Sequence, residues 1–246
     1  MTPDPLFDFA GKIVLVTGGS RGLGYQMVKA FAERGADAVI ASRKLEACEK
    51  VAEEVRALGR RALAVSAHVG RWAECDALIE AAYGAFGRVD ILVNNAGMSP
   101  ACPSHEMPES LFDSVMNLNF KGPFRLASQI GRRMSEGEGG VIINISSTGA
   151  LMALPGVVPY GAAKAALNAM TVSFSREYAP KVRINTLSAG PFQTDGTRGW
   201  DPDAKIPFAL GRMGQPSEIV TAALMLASPA SSFTTGALVR VDGGQR

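Results

Sequence analysis

Short apolar runs alternate with segments of helical period along the whole chain, and this alternation constrains the fold more than any other feature. Lys12–Thr17 (KIVLVT) is a β-rich run that leads into a helical pattern over Tyr25–Arg34. Ala38–Ser42 reads as a second strand before the charged, amphipathic Leu45–Leu58, and Ala62–Ala67 as a third before Ala73–Phe86. Asp90–Asn94 and Val141–Ser146 are further buried runs, separated by a long helical segment around Leu111–Met134. A helix over Tyr160–Tyr178, a strand over Arg183–Leu187, a helix over Pro216–Ala227 and a strand over Ala237–Val241 complete the series. Apolar strands this short, each followed by a helix, pack as a parallel sheet, because right-handed crossovers place the helices over its faces. The expected fold is therefore α/β, a doubly wound, mostly parallel sheet of about seven strands with helices on both faces. No linker-like or low-complexity stretch interrupts the pattern, so residues 1–246 are expected to form one domain. Gly190–Gly214 lacks clear periodicity; a long irregular segment of this kind reads either as a substrate lid or as a variable surface loop.

Composition narrows the class. A formal net charge of +2 with no basic stripe argues against nucleic acid as a partner. No apolar stretch reaches the length of about eighteen residues that a membrane span needs without Gly, Pro or Lys breaking it. The opening Met1-Thr-Pro-Asp-Pro-Leu-Phe-Asp-Phe has no basic region ahead of an apolar run, which is not the pattern of a secretory signal. Cys48, Cys75 and Cys102 are odd in number and irregular in spacing, which suits neither a disulfide framework nor a metal site. They are read as reduced thiols, and the expected location is the cytoplasm.

The first strand runs into Thr17-Gly18-Gly19-Ser20-Arg21-Gly22-Leu23-Gly24 and then into a helix. Glycines let the backbone turn sharply and approach a pyrophosphate, while N–H groups at the helix start meet the anion. Gly18, Ser20, Arg21, Gly22, Leu23 and Gly24 are thus candidate dinucleotide-binding residues. The end of the second strand distinguishes the two dinucleotides, since an acid there would bond ribose hydroxyls and repel a 2′-phosphate. Ser42 holds that place, followed by Arg43 and Lys44, with Arg21 nearby in the glycine turn. Guanidinium groups beside an uncharged serine suit a phosphate; Arg43 and Lys44 would equally serve as solvated residues opening the next helix. NADP(H) is the expected cofactor, with NAD(H) as the alternative.

Tyr160 and Lys164, four residues apart on a predicted helix, share a face. An ammonium about 5 Å from a phenol, at an effective dielectric near 20, favours phenolate by about 3 kcal/mol, which would bring tyrosine towards useful general acid–base chemistry. Ser147 ends the fifth strand, and Asn94-Asn95-Ala96-Gly97 follows the fourth. With Asn119 in NFKG and Val241-Asp-Gly-Gly near the end, these motifs run in an order and spacing that resemble the short-chain dehydrogenase/reductase family, from Gly11 to Gly244. The resemblance implies a Rossmann-like oxidoreductase that moves a hydride between nicotinamide and a carbonyl or secondary alcohol. It implies Tyr160 as proton donor or acceptor, Ser147 as the group that steadies the substrate oxygen, and Lys164 as holder of the nicotinamide ribose. It also implies Asn119 as anchor of a water that links Lys164 to solvent, or as an amide capping a bend in a buried helix. Asn95, Ala96 and Gly97 would lie beside the adenosine, and Gly190, Phe192 and Thr194 beside the nicotinamide carboxamide.

Two positions depart from the family pattern. Asp is common after the third strand, where this chain has His68 and then Val69; His68 would stack on adenine, bond to it, or simply end the strand. Proline commonly precedes the glycine of Leu187-Ser188-Ala189-Gly190, where Ala189 stands instead. Ser99, Cys102, Gly149, Leu151, Met152, Leu154, Phe192 and either Trp200 or Phe208 are expected around the reacting carbon, a mostly apolar set that favours a hydrophobic or amphipathic carbonyl compound. A 3-oxoacyl thioester reductase is the narrower alternative. The acidic Glu136-Gly-Glu138 turn counts against an acidic carrier protein at the site entrance. A non-catalytic NADP(H)-binding sensor is the alternative from another class. The family resemblance also implies a homotetramer.

Overall fold

The computed structural model describes residues 4–197 and 208–245. Seven strands form one sheet in the order β3-β2-β1-β4-β5-β6-β7, and every pairing is parallel. They are β1 (Ile13–Thr17), β2 (Asp37–Ser42), β3 (Ala62–Ser66), β4 (Ile91–Asn94), β5 (Gly140–Ser147), β6 (Val182–Ala189) and β7 (Leu238–Val241). The helices are α1 (Gly22–Glu33), α2 (Leu45–Ala57), α3 (Trp72–Phe86), α4 (Glu109–Met116), α5 (Gly122–Glu136), α6 (Val158–Glu177) and α7 (Val220–Ala227). This is the doubly wound arrangement the alternation implies.

The period of two along each central strand builds two separate cores. In β1, Val14 and Val16 enter a cluster with Met27, Val28 and Phe31 of α1, Val51 and Val55 of α2, and Leu224 of α7. Ile13 and Leu15 point the other way, into a cluster with Leu78 and Ile79 of α3, Leu126 and Ile130 of α5, and Leu167 of α6. Strands buried on both faces need apolar residues at every position, and all five residues of β1 are buried. The edge strand β7 alternates exposed and half-buried residues, and β3 is at best half-buried.

Several boundaries differ from the sequence reading. The first helix begins at Gly22 rather than Tyr25, because the glycine turn feeds straight into it. The segment over 111–134 is not a uniform helix: α4 and α5 are joined by a π-helical turn at Asn117–Lys121, where the Gly122 amide donates to the Asn117 carbonyl. Pro123 contributes to that break, since it has no N–H to return to the carbonyl of Asn119 four residues back. Pro216–Ile219 is a 3₁₀ turn ahead of α7.

The strand order reverses between β1 and β4. In open α/β sheets ligands bind at the carboxyl ends of the strands on either side of such a switch point. The glycine turn after β1, Ser42 at the end of β2 and Ser147 at the end of β5 all lie at this edge.

Candidate active site

At the end of β1, Gly18 and Gly22 adopt positive φ of 66° and 56°, which side chains other than glycine rarely accept. A Cβ on Gly18 would sit 2.9 Å from Asn95 Nδ2, and one on Gly24 would collide with the Gly18 carbonyl. The turn is held from β4, where Asn95 Nδ2 donates to the carbonyls of Thr17 (2.9 Å) and Gly18 (3.3 Å). Thr17 Oγ1 accepts the amides of Asn95 and Ala96 at 3.0 and 3.1 Å. Thr17 thus locks the two strands at the switch point, a role the glycine spacing alone did not reveal. No side chain caps the N-terminus of α1, so the amides of its first turn are left open to a ligand. A tight glycine cradle and uncapped helix amides fit the pyrophosphate of a dinucleotide.

Ser42 and Ser20, read separately in the sequence, meet at the end of β2. The Ser20 hydroxyl donates to Ser42 Oγ at 2.9 Å, and Ser42 Oγ lies 3.0 Å from the buried Cys48 Sγ. Arg43 and Lys44 form no ion pair among the described residues, whereas Arg21 reaches Asp195 at 3.5 Å in an exposed contact. Arg21 is therefore shared between the glycine turn and the 190s segment rather than dedicated to the pocket. His68 has its Nδ1 committed to the Gly70 amide (3.2 Å) and its own amide to Glu74 (2.6 Å). The Val69 carbonyl lies where a Cβ on Gly122 would fall, so α5 approaches that loop only because residue 122 is glycine.

The catalytic candidates converge at the carboxyl end of β5. A Cβ on Gly149 would lie 3.4 Å from Ser147 Oγ and 3.5 Å from Tyr160 Cε1, which places both hydroxyl-bearing side chains around one small space. Ser147 Oγ accepts the Gly149 amide at 3.1 Å. Lys164 is buried, with Nζ donating to the Ile145 carbonyl at 2.8 Å and lying 5.8 Å from the Tyr160 ring centre. The electrostatics differ from the sequence expectation of an acidified phenol. Burial holds the Tyr160 hydroxyl above its ordinary value, and the hydrogen bond with Ser147 opposes this only in part. Burial also pulls the Lys164 amine down to about 8. The lysine's Nζ donates to a backbone carbonyl, and burial rather than the ammonium governs the phenol.

Asn119 is fully buried within the π turn. Its amide donates to the carbonyls of Met98 (2.8 Å) and Val115 (2.9 Å) and accepts the Met98 amide (3.3 Å). A Cβ on Gly97 would lie 2.7 Å from Asn119 Oδ1 and 3.6 Å from Lys164 Nζ, so Gly97, Asn119 and Lys164 meet in one place.

The segment after β6 crosses above the glycine turn. Thr194 Cγ2 would be 3.5 Å from a Cβ on Gly22, and the buried Phe192 bridges to Gly214. Gly190 lies against Asp242, where a Cβ would be 2.6 Å from its Cα. Much of the expected lid, with Trp200, lies outside the described residues. Beyond β7, Gln245 accepts a 2.7 Å hydrogen bond from Thr148 and pairs with Phe208, so residues near the C-terminus brace the end of β5. No motif signalled that contact. Glu138 and the turn before β5 sit at the amino end of that eight-residue strand, roughly 25 Å from the site. Their charge therefore says nothing about the site entrance, and the argument against carrier-protein substrates falls.

The family model for short chain dehydrogenases matches residues 12–205. An uncharacterized oxidoreductase of Mycobacterium tuberculosis is 37% identical over 97% of this chain and 94% of its own length. A 3-oxoacyl-[acyl-carrier-protein] reductase of Chlamydia trachomatis is 35% identical over 95% of this chain and 96% of its own. Among solved structures, a 7α-hydroxysteroid dehydrogenase in complex with NADH and 7-oxo glycochenodeoxycholic acid superposes with a TM-score of 0.94 at 30% identity, covering 100% of this chain and 98% of that one. The chain belongs to the short-chain dehydrogenase/reductase family, whose members use NAD(P)(H), and it is an oxidoreductase acting on CH–OH or carbonyl groups.

Proposed function

We propose that the protein is an NADP(H)-dependent carbonyl reductase in which Tyr160 delivers the proton and Ser147 holds the substrate oxygen. The observation that carries this reading is the convergence of Ser147 and Tyr160 on the space beside Gly149, with buried Lys164 one helical turn behind the tyrosine. Bound nicotinamide supplies the hydride. Ser147 Oγ positions the carbonyl oxygen and stabilises the charge that develops on it. A phenol held above its ordinary value by burial keeps its proton at neutral pH, so Tyr160 is poised as the acid of a reduction. Its proton passes from the hydroxyl oxygen to the substrate oxygen. Lys164, with its amine near 8, carries charge at neutral pH, and its Nζ, 5.8 Å from the Tyr160 ring centre, stabilises the phenolate left behind. The phenolate regains its proton from the Lys164 ammonium, and the neutral amine is recharged by a water that donates a hydrogen bond to the Asn119 carbonyl, which Pro123 cannot satisfy in the α-helical manner.

Ser42, Arg43 and Arg21 support the 2′-phosphorylated dinucleotide, because no carboxylate stands at the end of β2 to repel it. Gly18, Ser20, Gly22, Leu23 and Gly24 hold the pyrophosphate side. His68, Val69, Asn95, Ala96 and Gly97 frame the adenosine, and Gly190, Phe192 and Thr194 the carboxamide. The working enzyme is read as a cytoplasmic homotetramer, which sedimentation would test. A 3-oxoacyl thioester is a second substrate reading, favoured by the Chlamydia trachomatis reductase's likeness over nearly its full length. A screen of ketones, diketones, keto-sugars and oxoacyl thioesters, with NADPH oxidation followed by absorbance and NADH as control, separates the two. Tyr160→Phe should bind NADPH as the parent does and lose nearly all turnover; unchanged turnover on a good substrate would refute the mechanism.

A further inference from the structure

Two segments frame the substrate side of the site, one after β5 and one after β4, and neither carries the cations of the dinucleotide side. Between Thr148 and Ala163 no side chain is charged. Leu154 of this stretch comes nearest to the chemistry. Its Cδ1 would be 2.6 Å from a Cβ on Gly149, in the space that Ser147 Oγ and Tyr160 Cε1 also border. Leu151, three residues earlier, leaves 48% of its surface exposed.

The segment after β4 passes the same opening. Gly97 lies at Asn119 and Lys164, and the Cys102 amide donates to the Gly156 carbonyl at 2.8 Å, four residues before Tyr160. A turn closed by the Glu106 amide on the Pro103 carbonyl, at 3.0 Å, keeps Glu106 close to that junction. Glu109 and Asp113 follow one helical turn apart on α4, which packs beside α6. All three acids are exposed. No Lys or Arg occurs between Gly97 and Phe120, and His105 faces Glu106 at 3.5 Å. Among the described residues around β6 and β7, Arg212 and Arg240 are each paired with a carboxylate, Glu218 and Asp242. The opening thus joins an uncharged apolar wall to an acidic rim.

We infer that the substrate is an uncharged ketone or keto ester whose apolar chain packs on Leu154, and that Glu106, Glu109 and Asp113 turn away carbonyls joined to an anionic carrier. A coenzyme A thioester brings phosphates to this rim and a carrier protein an acidic surface, and like charges brought together weaken binding and slow encounter. The inference rests on the proposed reductase reading. It goes beyond it by choosing between the two substrate readings.

The test compares kcat/KM for ethyl 3-oxohexanoate and 3-oxohexanoyl-coenzyme A, which share one reacting ketone, at saturating NADPH and low ionic strength. The ester should lead by about tenfold, and about 0.5 M KCl should narrow the gap, because salt screens exposed charges. Glu106→Gln/Glu109→Gln should raise the thioester by about threefold and leave the ester unchanged. Leu154→Ala should raise KM for ethyl 3-oxohexanoate by about tenfold and for ethyl 3-oxobutanoate by only about twofold, at similar kcat, since the longer chain loses more apolar contact. A thioester reduced as well as the ester, or a gap that neither salt nor the double variant narrows, would overturn the inference. So would equal effects of Leu154→Ala on the two esters; if that variant does not fold, Leu154→Val must show the same order more weakly. A protein that reduces keto-sugars but neither of the matched compounds would overturn it too. One that reduces no carbonyl of the screen above would instead bring down the reductase reading itself.

Discussion

Replacing Lys164 by Met should stabilise the protein at neutral pH while abolishing its activity, and the gain should vanish in alkali. The buried amine titrates near 8 in the folded chain against an ordinary value of 10.5, a difference that corresponds to about 3 kcal/mol. Below about pH 8 the amine is charged in both states, and the cost of burying that charge stands in full. Between about 8 and 10.5 the unfolded chain keeps a proton that the folded chain has released, so stability rises with pH. Above both values the cost is gone. Methionine fills a similar space without a charge, but it leaves the Ile145 carbonyl without its donor, which costs about 1 kcal/mol. Lys164→Met should thus exceed the parent by about 2 kcal/mol at pH 7 and fall below it by about 1 kcal/mol when the lysine is neutral in both states. Urea unfolding of both proteins at pH 7, 8, 9 and 10 measures the gap, and other titrating groups cancel in the difference. A gap that stays flat with pH, or a parent more stable at pH 7, would refute the assignment of a buried, destabilising amine.

Other variants test the remaining parts of the site. Gly24→Ala should lower stability by about 2 kcal/mol and abolish NADPH binding, because the new methyl meets the Gly18 carbonyl; thermal melts and titration read the two effects. Arg43→Ala should raise the Kd for NADPH by about tenfold and alter that for NADH by less than about twofold, as expected for a charge-assisted contact with a phosphate. Thr148→Val removes the hydrogen bond to Gln245. It should raise KM for the carbonyl substrate by about threefold at an unchanged dinucleotide Kd, since a neutral hydrogen bond that braces the substrate side is lost.

Much of the fold was legible because its signals are local and repeated. The period-two burial that splits β1 between two cores is written in IVLVT, and the glycine turn is a contiguous motif whose constraint lies in the backbone. The positions of Ser147, Tyr160 and Lys164 could be inferred from strand end and helical spacing. The electrostatics of that group could not, because they depend on where Nζ points, and the Ile145 carbonyl that receives it is nineteen residues away. The Ser20–Ser42–Cys48 chain stayed hidden for a similar reason: its members belong to a turn, a strand and a helix that only tertiary packing brings together. The Glu136–Glu138 turn misled although its place was legible: a turn that precedes a strand of a parallel sheet lies at the amino end, opposite the edge where ligands bind. The break at Asn117–Lys121 was missed because hydrophobic period tolerates one extra residue per turn, although Pro123 offered a clue.

That extra residue has a geometric consequence. An α-helix advances about 100° per residue, so one more residue in the wide turn rotates everything after it by that angle relative to α4. Leu126, Ala127, Ile130 and Met134 face the sheet in this setting, while Arg132 lies exposed and pairs with Glu136 at 2.8 Å. Excising a single residue between Asn117 and Lys121 would restore ordinary winding and swing the charged stripe of α5 inward. The turn that carries Asn119 also acts as the phase-setter for the helix behind it.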